Sequence, residues 1–117
     1  MLSVPGAVKI FLCLEPADMR RSFDGLAAMV EHVLEQDPLS GHLFVFRNRR
    51  ADRVKLLYWD RDGLCLWYKR LEEGTFRFPT PQQEQTSVTL SAAEWAMLLD
   101  GVDLSSVRRR KRYVRSA

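Results

Sequence analysis

Apolar runs in this 117-residue chain are short, and none approaches the roughly 20 residues a membrane-spanning helix needs. The opening Met1-Leu2-Ser3-Val4-Pro5-Gly6 has no basic stretch followed by an apolar one. A secretory signal is therefore not expected, and a cytoplasmic protein is. Cysteine is scarce. Cys13 and Cys65 are too few for a disulfide framework and, 52 positions apart, form no C-x-x-C metal or redox pair. Each lies in an apolar run, where a free thiol behaves as a small hydrophobe. The six glycines are scattered singly, so no phosphate-cradling loop exists. His32 and His42 have no Cys or second His at ligand spacing. Ser22, Ser40 and Ser91 lie at turns or caps, outside any G-x-S-x-G elbow. No enzyme, cofactor or metal is expected on these grounds.

What is present suits one α+β domain. Hydrophobic residues make up 46% and charged residues 28%, enough for a single core over 1–107 with a basic tail at 108–117. The net charge of +3 hides strong segregation. Residues 1–40 carry −3, residues 41–78 carry +4, residues 79–107 carry −4 and residues 108–117 carry +6. Such blocks point the middle and the tail toward a polyanion.

Val8 to Leu14 is an apolar run stopped by Glu15-Pro16, which predicts a buried strand. Asp18 is then the candidate N-cap of a helix. Phe23, Leu26, Ala27, Val30, Val33 and Leu34 recur at helical spacing and make one apolar stripe over 23–35. Gly25 inside it costs about 1 kcal/mol against Ala, so an irregular turn or a close contact is expected there. Asp37-Pro38 ends the helix. Aromatic and branched runs at 43–46, 54–59, 64–71 and 75–78, parted by Asn, Asp and Gly, predict an antiparallel meander. Pro79 to Gln85 has loop composition. A short extended piece at 87–90 precedes Ser91-Ala92-Ala93-Glu94, a capping box that opens a second helix with Trp95, Leu98 and Leu99 on its apolar face. The fold expected is thus a meander of four to five strands packed on one main helix, with a short C-terminal helix and a basic tail.

Strand parity divides the central hairpin into two faces whichever even register it takes. Val54, Leu56, Tyr58, Cys65, Trp67 and Lys69 share one face, the better one to receive the 23–35 helix. Arg53, Lys55, Leu57, Trp59, Leu64, Leu66, Tyr68 and Arg70 share the other. On the latter, basic and aromatic groups meet at the end away from the turn, where they can grip phosphates and stack on bases. A solvated face whose cationic stems cover apolar surface is the alternative. Arg47, Asn48, Arg49, Arg50 and Arg53 in the adjoining turn favour the first reading, since guanidinium groups at a turn can reach phosphates bidentately. Arg108, Arg109, Arg110, Lys111 and Arg112 in the tail add a non-specific anchor. Asp60-x-Asp62 would suit a divalent cation, but Asp-x-Asp-Gly between apolar runs is hairpin chemistry, with Gly63 supplying a positive φ.

Four stretches carry a resemblance. They are Asp18-Met19-Arg20-Arg21-Ser22-Phe23-Asp24-Gly25-Leu26, the run from Ser40 to Arg50, Lys55-Leu56-Leu57-Tyr58-Trp59-Asp60, and the run from Gly63 to Leu71. Together they resemble the TnpB, or second-reading-frame, accessory proteins of the insertion sequence sixty-six family of bacterial mobile elements. Ala17 and Ser22 stand where that pattern has Thr and Gly. The resemblance implies a role in transposition beside a separate, larger transposase, and it brings no catalytic residue. Arg47, Asn48, Arg49, Arg50, Lys55, Lys69 and Arg70 match its motifs. Lys69 falls on the opposite sheet face from Lys55.

Three functions follow as expectations. The first is a non-catalytic accessory factor that binds DNA, at the element ends or with the transposase, through Arg47 to Arg53, Lys55, Lys69, Arg70 and the tail. The second is a module that binds the transposase, which an exposed apolar patch of Leu57, Trp59, Leu64 and Leu66 would favour. The third, a nuclease using Asp60 and Asp62, is the weakest because the turn already accounts for both. Homo-oligomerisation is left open, and no membrane partner is expected.

Overall fold

The structure, a computed structural model, describes residues 7–104. Its elements run β1 (Ile10–Cys13), α1 (Phe23–His32), β2 (Leu43–Arg47), β3 (Arg53–Asp60), β4 (Gly63–Arg70), β5 (Ser87–Leu90) and α2 (Ala92–Leu99). The strands form one mixed sheet in the order β4-β3-β2-β1-β5. β2, β3 and β4 make the expected antiparallel meander. β1 pairs in parallel with β2, so α1 is the crossover between them, and β5 closes the far side antiparallel to β1. No helix among the described residues is long and apolar enough to cross a membrane.

Both faces of the sheet are covered, and this reverses one expectation. The face bearing Val54, Leu56, Tyr58 and Trp67 packs against Trp95 and Leu98 of α2, with Phe76 and Leu104. The opposite face, with Phe44, Phe46, Leu57, Leu64 and Leu66, takes α1 through Leu26, Met29, Val30 and the following Leu34. Parity sorted the hairpin's residues correctly but assigned the long helix to the wrong side. Alternation states which residues face together, whereas the path of the β1–α1–β2 crossover decides which helix lies over them.

Local signals were mostly honoured. Ser91 and Glu94 form the full capping box at α2. The N-cap of α1 is Ser22, not Asp18, and its side chain makes no capping bond. Asp18 instead accepts from the main chain and guanidinium of Arg20. Gly25 marks a close contact, because a Cβ there would stand 3.1 Å from Cβ of Arg21. Residues 75–78 do not join the sheet. Phe76 is buried, and its amide reaches the carbonyl of Ala51 by a single bond of 2.7 Å, which anchors the chain without a ladder. In the β3–β4 turn Asp60 pairs with Gly63, and Arg61, at φ 52°, takes the left-handed position expected of Gly63.

Candidate nucleic-acid interface

The basic region is built where the β1–α1 loop lies against the β2–β3 turn. Asn48 organises that turn. Its side-chain oxygen accepts from the Arg53 amide at 3.0 Å, and its amide nitrogen donates to the Asp52 carboxylate at 2.5 Å. The Asn48 amide holds the Asp52 carboxyl below the usual carboxylate range. Ala51 takes the left-handed conformation at φ 59°, which lets so short a connection close. Arg49 and Arg50, between these fixed points, are exposed. Asn48 is therefore the turn's brace, with both ends of its side chain occupied.

The loop opposite is tied down from below. Ala17 donates its amide to the carbonyl of Arg47 at 2.8 Å, and the Arg47 guanidinium donates to the carbonyl of Leu14 at 2.6 Å. Burial pushes the Arg47 guanidinium pKa down, and the group lies 5.7 Å from the centre of the Phe78 ring. Lys55 is 5% exposed, which corrects its expected place on the binding surface. Its ammonium donates to the carbonyls of Met19 at 2.8 Å and Arg21 at 2.7 Å, and it stands 4.6 Å above the Tyr68 ring. Two carbonyls and one aromatic face satisfy it in place of water. Lys55 and Arg47 thus fasten loop to sheet, and the cations free to meet a ligand are others.

The cations that line the adjoining clefts are Arg21, Arg49, Arg50 and Arg53. A cleft of about 440 Å³ carries Arg21 and Arg49 on its walls, with Glu15 and Asp18. A second, of about 280 Å³, carries Arg49, Arg50 and Arg53, with Asp18 and Asp52. The two share Ala17, Asp18 and Arg49 and so run side by side. Asp18 is held by Arg20 in a 2.6 Å ion pair, which lowers its pKa to about 2. The Arg53 guanidinium donates to the Tyr68 hydroxyl at 3.1 Å. Arg70, directly across the ladder from Arg53, turns to Glu72 at 3.0 Å. Two like charges opposite each other repel, and each is drawn aside by its own partner.

Arg21 was missed by sequence reasoning, because Arg20-Arg21 sits in a block whose net charge is −3. Lys69 is exposed on the α2 side of the sheet and does not join the group. Arg108, Arg109, Arg110, Lys111 and Arg112 lie outside the described residues. Asp60 and Asp62 stand exposed at the far turn, and no group of three His, Cys, Asp or Glu suited to a metal forms among the described residues. Cys13 is fully buried, and burial pushes its thiol up to about 11. Of the apolar patch expected to favour protein docking, Leu57 is fully buried, whereas Trp59, Leu64 and Leu66 are half-buried, the two leucines packing against the α1 cluster.

The family model described as IS66 Orf2 like protein matches residues 8–109. The chain is also 36% identical over 110 residues to a Sinorhizobium fredii protein called Uncharacterized protein y4jC, covering 94% of this chain and 92% of that one. To a second protein of the same organism, Uncharacterized protein y4hO, it is 40% identical over 96 residues, 82% of each. No solved structure matches at a significant level.

Proposed function

The chain belongs to the IS66 Orf2-like family, and from that premise we propose that it is a non-catalytic accessory protein of insertion-sequence transposition that binds DNA through Arg21, Arg49, Arg50 and Arg53. Family membership supports the accessory role. The observation that carries the DNA reading is the convergence of these guanidinium groups, from two separate loops, on adjoining clefts. Phosphate contacts of this kind position a duplex and are released by salt. Arg70 lies at the margin of the site, and the tail cations add affinity without sequence preference. The element ends, bare or held by the transposase, are the DNA such a protein meets.

The test is fluorescence anisotropy of the full chain on a duplex carrying the element's terminal repeat, beside a scrambled duplex, over a salt series. Four phosphate contacts give a log–log salt slope near about −3.6, and Arg49→Ala with Arg50→Ala removes about two units of it. A variant with Arg108, Arg109, Arg110, Lys111 and Arg112 changed to Ser retains the part of the slope owed to the folded surface. If all binding vanishes with those five tail residues, the folded site is not the DNA contact and the reading fails.

A further inference from the structure

β4 is the last strand of the sheet, and among the described residues nothing pairs with its outer edge. Among the described residues, the main-chain bonds of 63–70 run to β3 alone. The edge at the other side of the sheet, β5, is four residues long. β4 has eight, paired to β3 without a bulge and containing no proline, and its charged side chains are confined to its last two residues, so the stretch from Gly63 to Tyr68 lacks the usual devices that keep an edge single. Its residues Leu64, Cys65, Leu66 and Trp67 are half-buried, so apolar surface runs out to that edge. Its ends carry opposite charge: Asp62 in the turn before it, Lys69 and Arg70 at its close, all exposed.

We infer that β4 pairs antiparallel with β4 of a second copy of this chain, across a two-fold axis at Leu66. Charge chooses the direction. Parallel, in-register pairing would set Lys69 and Arg70 against their own copies, and like charges directly opposite are destabilising. Symmetry then limits the register. A two-fold that joins two antiparallel edges is perpendicular to the sheet, so each residue must face one from the same side, and the axis must pass through a residue pair. With the axis at Leu66, Arg70 faces Asp62 of the partner subunit twice over, Trp67 faces Cys65 of the partner subunit, and Tyr68 faces Leu64 of the partner subunit. Moving the axis to Trp67 sets Glu72 against Asp62 of the partner subunit. Moving it to Cys65 sets Lys69 against Arg61 of the partner subunit. Counting along the chain, the Cys65 axis would also bring Arg70 to Asp60 of the partner subunit, but Asp60 lies on β3, behind the edge; of these three axes only the Leu66 one turns the edge's charge polarity into attraction. The product is a ten-stranded sheet with the α1 helices of both copies on the same side, formed independently of DNA.

Sedimentation velocity of the full chain from about 1 to 200 µM tests it, since one strand edge is a small interface and a micromolar dimer is expected. Arg70→Asp raises the dimer dissociation constant about tenfold, because two attractive pairs become repulsive. Asp62→Arg together with Arg70→Asp restores it to within about threefold. Both positions are exposed, so the exchange does not depend on refolding the core. Residues facing each other across the axis have Cα atoms about 4.5–5.5 Å apart, within disulfide range. In a Cys65→Ser background, Leu66→Cys therefore cross-links under oxidised glutathione, and Tyr68→Cys does not. Cys13 is fully buried and stays out of the reaction. A chain that remains monomeric to 200 µM overturns the inference. A dimer indifferent to the charge exchange and to cross-linking at residue 66 also overturns it.

Discussion

The two ends of the β3–β4 hairpin both carry charged residues and are built in opposite ways. At one end Arg53, Lys55, Tyr68 and Arg70 meet the β1–α1 loop and the β2–β3 turn, and a buried ammonium draws the loop onto the sheet. At the other, Asp60, Arg61 and Asp62 form an exposed two-residue turn between Asp60 and Gly63. Charged groups at the first end are held in place, so under the proposed function a polyanion would meet arginines already positioned. The second end presents carboxylates in water and repels the same ligand. The ends differ in charge sign, and also in tertiary fastening, which a count of charges does not capture. Variants that cut the fastening should therefore do more than variants that remove a charge.

Lys55→Met cuts it most directly and carries the largest expected effect. It leaves the carbonyls of Met19 and Arg21 without their donor, and truncating one partner of a buried charged hydrogen bond costs about 2–4 kcal/mol. Urea unfolding measures this as a lower midpoint at unchanged slope. DNA affinity of the folded variant falls as well, although residue 55 touches no phosphate, because the loop bearing Arg21 is released. Stability and affinity both unchanged would show that the loop holds its position without Lys55.

Arg49→Ala with Arg50→Ala should reverse that pattern: DNA affinity falls by about tenfold at low salt, while the unfolding midpoint stays put. Asp60→Asn with Asp62→Asn provides the matching test at the other end. Asp60 lies seven residue steps along β3 from Arg53, about 23 Å at strand rise, beyond the ~10 Å Debye length at 0.1 M salt. Measured on protein below the micromolar range in which β4 edges pair, affinity changes less than about twofold at 0.1 M. It rises only toward 0.01 M, where screening reaches ~30 Å. A large gain at 0.1 M would mean that DNA lies along the hairpin.

This difference between the ends was only half legible in the sequence. The strands other than the 75–78 run, the meander, the place of the hairpin turn and the Ser91 capping box rest on signals a few residues long, and they were readable, though Arg61 and not Gly63 takes the turn's positive φ. The residues sharing each face were readable too, since parity survives a register shift of two. The burial of Lys55 was not: its partners lie 36 and 34 positions away and are main-chain carbonyls, which leave no mark in residue type. The parallel β1–β2 pairing left no local mark either, because a crossover through a helix sets no turn signature. Asn48 looked like a contact residue and serves as a brace. A turn asparagine shows the same letter in both roles.

A finer cut separates the two parts Tyr68 plays at the fastened end. Tyr68→Phe keeps the ring under the Lys55 ammonium and removes the hydroxyl that accepts from Arg53. The expected loss is about 0.5–1 kcal/mol of stability, the net value of one partly exposed hydrogen bond. Tyr68→Leu removes the ring as well, and the extra loss in urea unfolding isolates the cation–ring contact at about 0.5–1 kcal/mol. Equal losses for both variants would mean that the two carbonyls alone hold Lys55.

A test at Asp18, on the rim of both clefts, decides whether that carboxylate opposes a phosphate. The guanidinium of Arg20, its main-chain amide beside it, lowers the Asp18 pKa from an ordinary 3.8 to about 2. A depressed carboxylate stabilises the fold above its unfolded pKa, and the contribution is lost as pH falls from about 3.8 through about 2. Nothing at Asp18 therefore titrates between pH 5 and 8, and DNA affinity over that window should not vary on its account. Carboxyl-carbon NMR should find the Asp18 midpoint near 2 in the native chain and raised toward the ordinary 3.8 in Arg20→Ala, where the main-chain bond from residue 20 still holds it somewhat below that value. The same variant uncovers a carboxylate beside Arg21 and Arg49, so its DNA affinity should drop severalfold even though Arg20 lies on neither cleft wall. A normal Asp18 midpoint in the native chain would mean that Arg20 is free, and the cation count of the site would then rise by one.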